Sequence, residues 1–174
     1  MHTAALKALE FDRIVDSVRG FAQTPMGDER LALLAPSIDP IEVADLLAST
    51  TETARYLVKH GNFPLRAHAE LPEILEAVSV EGRALEALRL LALATFLDSV
   101  DDTCTAVRRV AAQFPRVDRA GANAASFKGE IARVRSAIDS SGDVVDDASP
   151  RLRAVRDRLR RQKTKLRGTL ASYV

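Results

Sequence analysis

The chain reads as an all-α helical bundle ending in a long basic helix, and three features of its pattern point there. Apolar residues recur at helical spacing almost everywhere. No segment alternates convincingly with period two. Ala, Leu and Arg dominate, and all three are strong helix formers. With 47% apolar and 28% charged residues, the 174-residue chain can bury a core and keep an ordinary helical surface.

The first helical stretch carries Leu9, Phe11, Ile14, Val15 and Val18. Thr24-Pro25 has the form of a cap followed by Pro in the first turn, so a second helix runs through Leu31, Leu33 and Leu34 and stops by Pro36. Asp39-Pro40 repeats that signal and opens a longer helix with Val43, Leu46, Leu47, Ala54 and Leu57. Gly61 ends it as a left-handed cap, with Lys59 and His60 favourable beside the last carbonyls. A connection containing Phe63-Pro64-Leu65 leads to a short helix from about Pro72 to Val78, broken at Gly82. The most apolar helix is expected over about Ala84 to Phe114, bent near Asp101-Asp102 and stopped by Pro115. Residues 117–126 are weakly patterned, and Phe127 to Asp139 recovers helical spacing through Ile131, Val134 and Ile138. Ser140 to Asp147 is turn-like, with Val144 and Val145 able to form a brief extended segment. Ser149-Pro150 caps the final helix.

That helix is the informative one. Leu152, Val155, Leu159, Leu166, Leu170 and Tyr173 fall within an arc of about 60° at 100° per residue. So narrow a stripe suits the seam of a two-helix coiled coil. Arg153, Arg156, Arg160, Lys163 and Arg167 flank it on one side, and Arg151, Arg158, Arg161 and Lys165 spread over the other. Residues 150–174 hold nine Lys or Arg and one acid, Asp157, a charge of +8. The formal total is +1, so the remainder carries −7. A basic tail on an acidic body is the electrostatic feature most relevant to partners. Nothing after Ser149 signals a helix stop, and the expectation is a truncated arm of about 37 Å at 1.5 Å per residue.

Composition excludes several classes. Aromatic residues make up only 5% and Trp is absent, which argues against stacking platforms for single strands. One cysteine, Cys104, permits no internal disulfide. The N-terminus lacks a signal-peptide pattern, and Leu88 to Leu97 is too short to span a bilayer, so a cytoplasmic, non-membrane protein is expected.

Two segments resemble a known family. Leu6-Lys7-Ala8-Leu9-Glu10-Phe11-Asp12-Arg13-Ile14 looks like the opening of the second bacterial MutS paralogue, the type associated with recombination control. Gly142-Asp143-Val144-Val145-Asp146-Asp147-Ala148-Ser149-Pro150-Arg151-Leu152 is similar to the family's entry into its long lever helix. Phe63-Pro64-Leu65 and the spacing of these landmarks agree. The resemblance implies a MutS-like helical core over residues 1–139, an acidic turn over 140–149 and the start of a lever helix over 150–174. It further implies a parent protein with an ATPase domain using ATP and Mg, a DNA-contacting clamp and a nuclease domain, acting in suppression of recombination, with ribosome rescue as an open alternative or additional role. No GxxxxGK[ST] phosphate loop occurs here, so the chain itself is expected to hold no cofactor.

Other constellations are weak. Asp139, Asp143, Asp146 and Asp147 fail calcium-loop spacing, because Gly142 falls at position 4 and Pro150 at position 12. Their reading is a linker whose last carboxylates favour a helix N-terminus. His2, His60 and His68 have no second ligand at metal-binding spacing. Cys104, beside Asp101 and Asp102, suits a buried small side chain better than a nucleophile. No catalytic or metal residues are therefore expected.

Arg153, Arg156, Arg160, Lys163 and Arg167 are candidates for nucleic-acid phosphate contact, or for pairing with an acidic partner helix. Leu152, Val155, Leu159, Leu166 and Leu170 are the candidate seam for that helix. The leading expectation is a non-catalytic module that couples an ATPase to a clamp, partnered by the rest of its parent chain. The alternative is a helical adaptor that homodimerises through its terminal coiled coil.

Overall fold

A computed structural model describes residue 6 and residues 8–171, and among these the protein is all-helical. The helices with defined bounds are α1 (Phe11–Arg19), α2 (Pro25–Ala32), α3 (Pro40–His60), α4 (Leu71–Ser79), α5 (Ala87–Arg108), α6 (Pro115–Gly121), α7 (Lys128–Ala137) and α8 (Pro150–Ala171). A single 3-10 turn, Asp146–Ala148, precedes α8. The extended backbone between α7 and that turn is reduced to one antiparallel bridge, Ile138 to Val144. Lys7, in the first family-like segment, and Tyr173, at the end of the apolar stripe, lie outside the described residues.

Local caps decide several boundaries. Thr24 Oγ1 accepts from the Gly27 amide at 3.0 Å, and Asp39 Oδ1 accepts from the Ile41 amide at 2.9 Å. Both are followed by Pro at a position that needs no amide donor. Gly61 closes α3 with φ +80°, but its ψ of −170° is extended rather than left-handed helical. Its amide still donates to the Leu57 carbonyl at 2.9 Å. α1 and α2 form a hairpin held by a two-pronged pair, with Arg19 Nε and Nη2 each 2.9 Å from a different oxygen of Asp28.

The core lies between α4, α5 and α7 and continues under α3 and α6. Leu71 and Ile74 of α4 are fully buried, with Ala77 and Ala94 nearly so, and Ile131 of α7 closes the other side of α5. Ser99, also fully buried, accepts from the Arg66 amide at 3.0 Å and donates to the Phe96 carbonyl at 2.7 Å. Tyr56, Val107, Phe114 and Val117 make a second cluster beside Phe63. The Tyr56 ring stacks on Phe63 at 5.1 Å and meets Phe114 edge-on at 5.4 Å.

Three local expectations are corrected. The long apolar helix covers Ala87–Arg108 rather than 84–114, and it runs without interruption through Asp101-Asp102. The weakly patterned stretch begins inside α6, which opens at Pro115 and whose first amides are satisfied from outside: Glu52 Oε1 accepts from Arg116 N at 2.6 Å and Val117 N at 3.1 Å. His60 is more than a charge at a helix end, because its ring packs on Tyr56 at 5.0 Å and edge-on to Phe114 at 5.6 Å.

Candidate functional site: the cationic terminal helix

α8 begins where the sequence places it. Ser149 is extended at φ −156° and ψ 149°, its Oγ accepts from the Leu152 amide at 3.1 Å, and its carbonyl accepts from Arg153 N. Twenty-two residues at 1.5 Å each make a rod of about 33 Å. Among the described elements, the only one packed against this rod is the Asp146–Ala148 turn. The apolar stripe therefore meets almost nothing. Leu152 is half-buried at the root, but Val155, Leu159, Leu166 and Leu170 are 58%, 52%, 61% and 60% exposed.

The cations divide into two sets. Arg156 Nη1 donates to Asp146 Oδ1 and to the Val144 carbonyl, both at 2.7 Å. Arg160 reaches the other oxygen of Asp146 and also pairs with Asp157 at 3.1 Å, while Arg153 pairs with Asp147. Hydrogen bonds from Arg156 and Arg160 hold the Asp146 carboxyl below its usual range, and the bond to Asp146 raises Arg160. The structure thus brings Arg153, Arg156 and Arg160 together on the acidic turn. Lys163 and Arg167 share their flank but lie beyond the turn's reach. Among the described residues, Lys163, Arg167, Arg151, Arg158, Arg161 and Lys165 form no ion pair.

Sequence reasoning assigned Asp146 and Asp147 to the helix dipole and missed this pairing. A signal was present: Arg153, Arg156 and Arg160 occupy one face of the first turns, directly after an acidic loop. The loop is folded to deliver its acids. Asp139 Oδ1 accepts from the Ser141 and Asp143 amides, each at 2.9 Å, and Gly142 turns the chain at φ +86°. The Asp139 carboxylate is spent on backbone amides, and those of Asp146 and Asp147 on arginines.

The remaining candidates lie apart from α8. Cys104 is half-buried, with Sγ 3.9 Å from the Gly121 carbonyl, in the wall of an apolar cavity of about 260 Å³ lined by Phe63, Val107 and Val117. His68 is exposed and its Nδ1 accepts from the Glu70 amide at 3.2 Å. Among the described residues no three His, Cys, Asp or Glu side chains converge as a metal site would require, and no helix is long and apolar enough to cross a membrane.

Comparison with known proteins agrees with the resemblance read in the sequence. The chain is similar along its whole length to proteins named Endonuclease MutS2. The Geobacillus thermodenitrificans protein is 31% identical over 184 aligned positions covering all of the chain. The Thermotoga petrophila protein is 25% identical over 97% of it, and the Lacticaseibacillus casei protein 25% identical over 99%. In each case the chain spans only 22% of the relative's length. No family model matches the chain.

Proposed function

From the whole-length likeness to MutS2-type proteins, we propose that this chain is the helical core and proximal arm of a MutS-like DNA-handling protein, and that it does no chemistry itself. In this reading α8 is a lever. A helix rooted at one acidic turn converts a small rotation at its base into a larger displacement at its tip. The base answers to an ATPase domain using ATP and Mg, and the tip leads to a nucleic-acid clamp. The parent acts in suppressing recombination, in ribosome rescue, or in both.

The observation that carries this reading is the exposed seam. Four apolar residues in one narrow stripe, each more than half exposed, are costly to leave in water and fit a second helix laid alongside. Amide hydrogen exchange tests it. In the longer protein, amides of residues 155–170 are protected from exchange, whereas in the 174-residue chain they exchange far faster than those of Leu71–Ala77. Equal, rapid exchange in both proteins contradicts the lever.

The same seam favours a second reading, in which two copies of the chain pair through α8. This predicts a dimer in sedimentation that dissociates on dilution and is abolished by Leu159→Asp with Leu166→Asp. A monomer at all concentrations rejects it. ATP hydrolysis or plasmid nicking that follows the chain through successive purification steps rejects the non-catalytic assignment.

A further inference from the structure

We infer that the outward face of α3 is a docking face, separate from the α8 seam, for an apolar helix supplied by residues of the longer protein outside this chain. The inference rests on the reading above that the chain is one piece of a longer polypeptide, and not on the lever.

α3 is packed with its polar side inward. Among the described elements it packs only against α6. The side chains it turns that way are Asp45, Ser49, Glu52 and Tyr56, which meet Arg116, Val117 and Phe114. At 100° per residue these four fall within about 60° of one another. The opposite arc, about 160° wide between Val43 and Val58, holds no charged residue. Leu46, Leu47 and Val58 stand on it at 55%, 63% and 91% exposure. Between them lie Thr50, Thr51 and Ala54, small enough for a neighbouring helix to approach closely. An amphipathic helix buries such a face, and a contiguous apolar strip left in water marks a contact with something else.

Size, chain length and charge say what covers it. At 1.5 Å per residue the strip is about 24 Å long, and a helix is about 10 Å wide, so the contact covers roughly 240 Å² per side. A stable interface between separate chains takes about 800 Å² per partner. A helix of the same polypeptide needs no such area, because its tether supplies a high effective concentration. The chain spans only 22% of the length of its MutS2-type relatives, which leaves ample chain to supply that helix. Residues 1–5 cannot, since five residues of helix run about 7.5 Å. Arg55 lies at the edge of the strip, exposed and without an ion pair among the described residues. In an antiparallel pair of copies that edge meets itself, with Ala44, Ala48 and Thr51. In a parallel pair it meets Thr53 and Leu57, so a second copy offers Arg55 no acid. The occupant is a helix with an apolar stripe and an Asp or Glu placed to reach Arg55.

The test is thiol labelling of Leu47→Cys and Val58→Cys, made singly in the longer protein and in the 174-residue chain and read peptide by peptide by mass spectrometry. Both thiols are expected to label at least tenfold more slowly in the longer protein, at every protein concentration. Adding Arg55→Glu to Val58→Cys is expected to raise the rate in the longer protein at least threefold, whereas Arg55→Lys leaves it unchanged. Circular dichroism checks that each variant keeps its helix content. Equal rates in the two proteins overturn the inference, and so does Arg55→Glu labelling no faster than its parent. Protection that rises with the concentration of either protein also overturns it, by assigning the face to a second copy. Slow labelling on α3 together with rapid exchange over residues 155–170 upholds this inference and rejects the lever; the reverse rejects this inference alone.

Discussion

Asp146 accepts from Arg156 and Arg160 and, with Asp147 on Arg153, joins the arm to the bundle electrostatically. Its pKa is lowered in the folded protein, so its contribution is complete above the ordinary carboxylate value and lost as pH falls through its own lower one. Docking of the α8 root, followed through the NMR signals of Arg156, should therefore be constant from neutrality to about pH 4 and weaken below it. Asp146→Asn should remove that transition; a transition surviving in the variant contradicts the assignment. Ser99→Ala removes the acceptor of the Arg66 amide in a fully buried position and should cost about 1–3 kcal/mol in chemical denaturation. Gly142→Ala should cost about 1–2 kcal/mol, because a left-handed φ is strained for alanine. Its new Cβ would also fall 2.5 Å from Leu88 Cδ2, although that side chain is exposed and can turn aside.

Helices whose ends are fixed by their own neighbours in sequence were legible from sequence. Thr24, Asp39 and Ser149 each satisfy an amide two or three residues ahead, so the spacing alone predicts where α2, α3 and α8 begin. α6 was not legible, because its cap is Glu52, more than sixty residues away in sequence on α3. The same limit hid the pairing of Arg153, Arg156 and Arg160 with Asp146 and Asp147, in which the turn's fold chooses which arginines it meets. The stripe and flanks of α8 were readable because helical periodicity alone defines them, whereas which cations the acidic turn occupies is a tertiary fact. Since the seam residues touch little in this chain, Leu159→Asp with Leu166→Asp should leave the thermal midpoint of the monomer within about 2 °C, a shift of under about 0.5 kcal/mol. A drop of 5 °C or more would show that these leucines support the bundle.

The chain as a whole carries more surface than its mass warrants. Its accessible area is 13208 Å², against about 8,300 Å² for a compact monomer of 18.9 kDa. Besides the α8 seam, Phe21, Leu33, Ile38, Ile41 and Val58 are each at least 80% exposed. The protruding arm, the hairpin anchored through α2 and the open N-terminal half of α3 contribute to that excess. Small-angle scattering should give a radius of gyration clearly above the roughly 16 Å of a compact 174-residue domain. A radius at that value would mean that the arm folds back in solution.

Deleting residues 158–174 separates an arm from a core element. Thermal unfolding of the shortened chain, followed together with amide exchange across Leu71–Ser79 and Ala87–Arg108, should match the full chain in midpoint and in protection. A shortened chain that melts at much lower temperature, or loses protection in those two helices, would show that α8 is part of the fold and reaches for nothing beyond it.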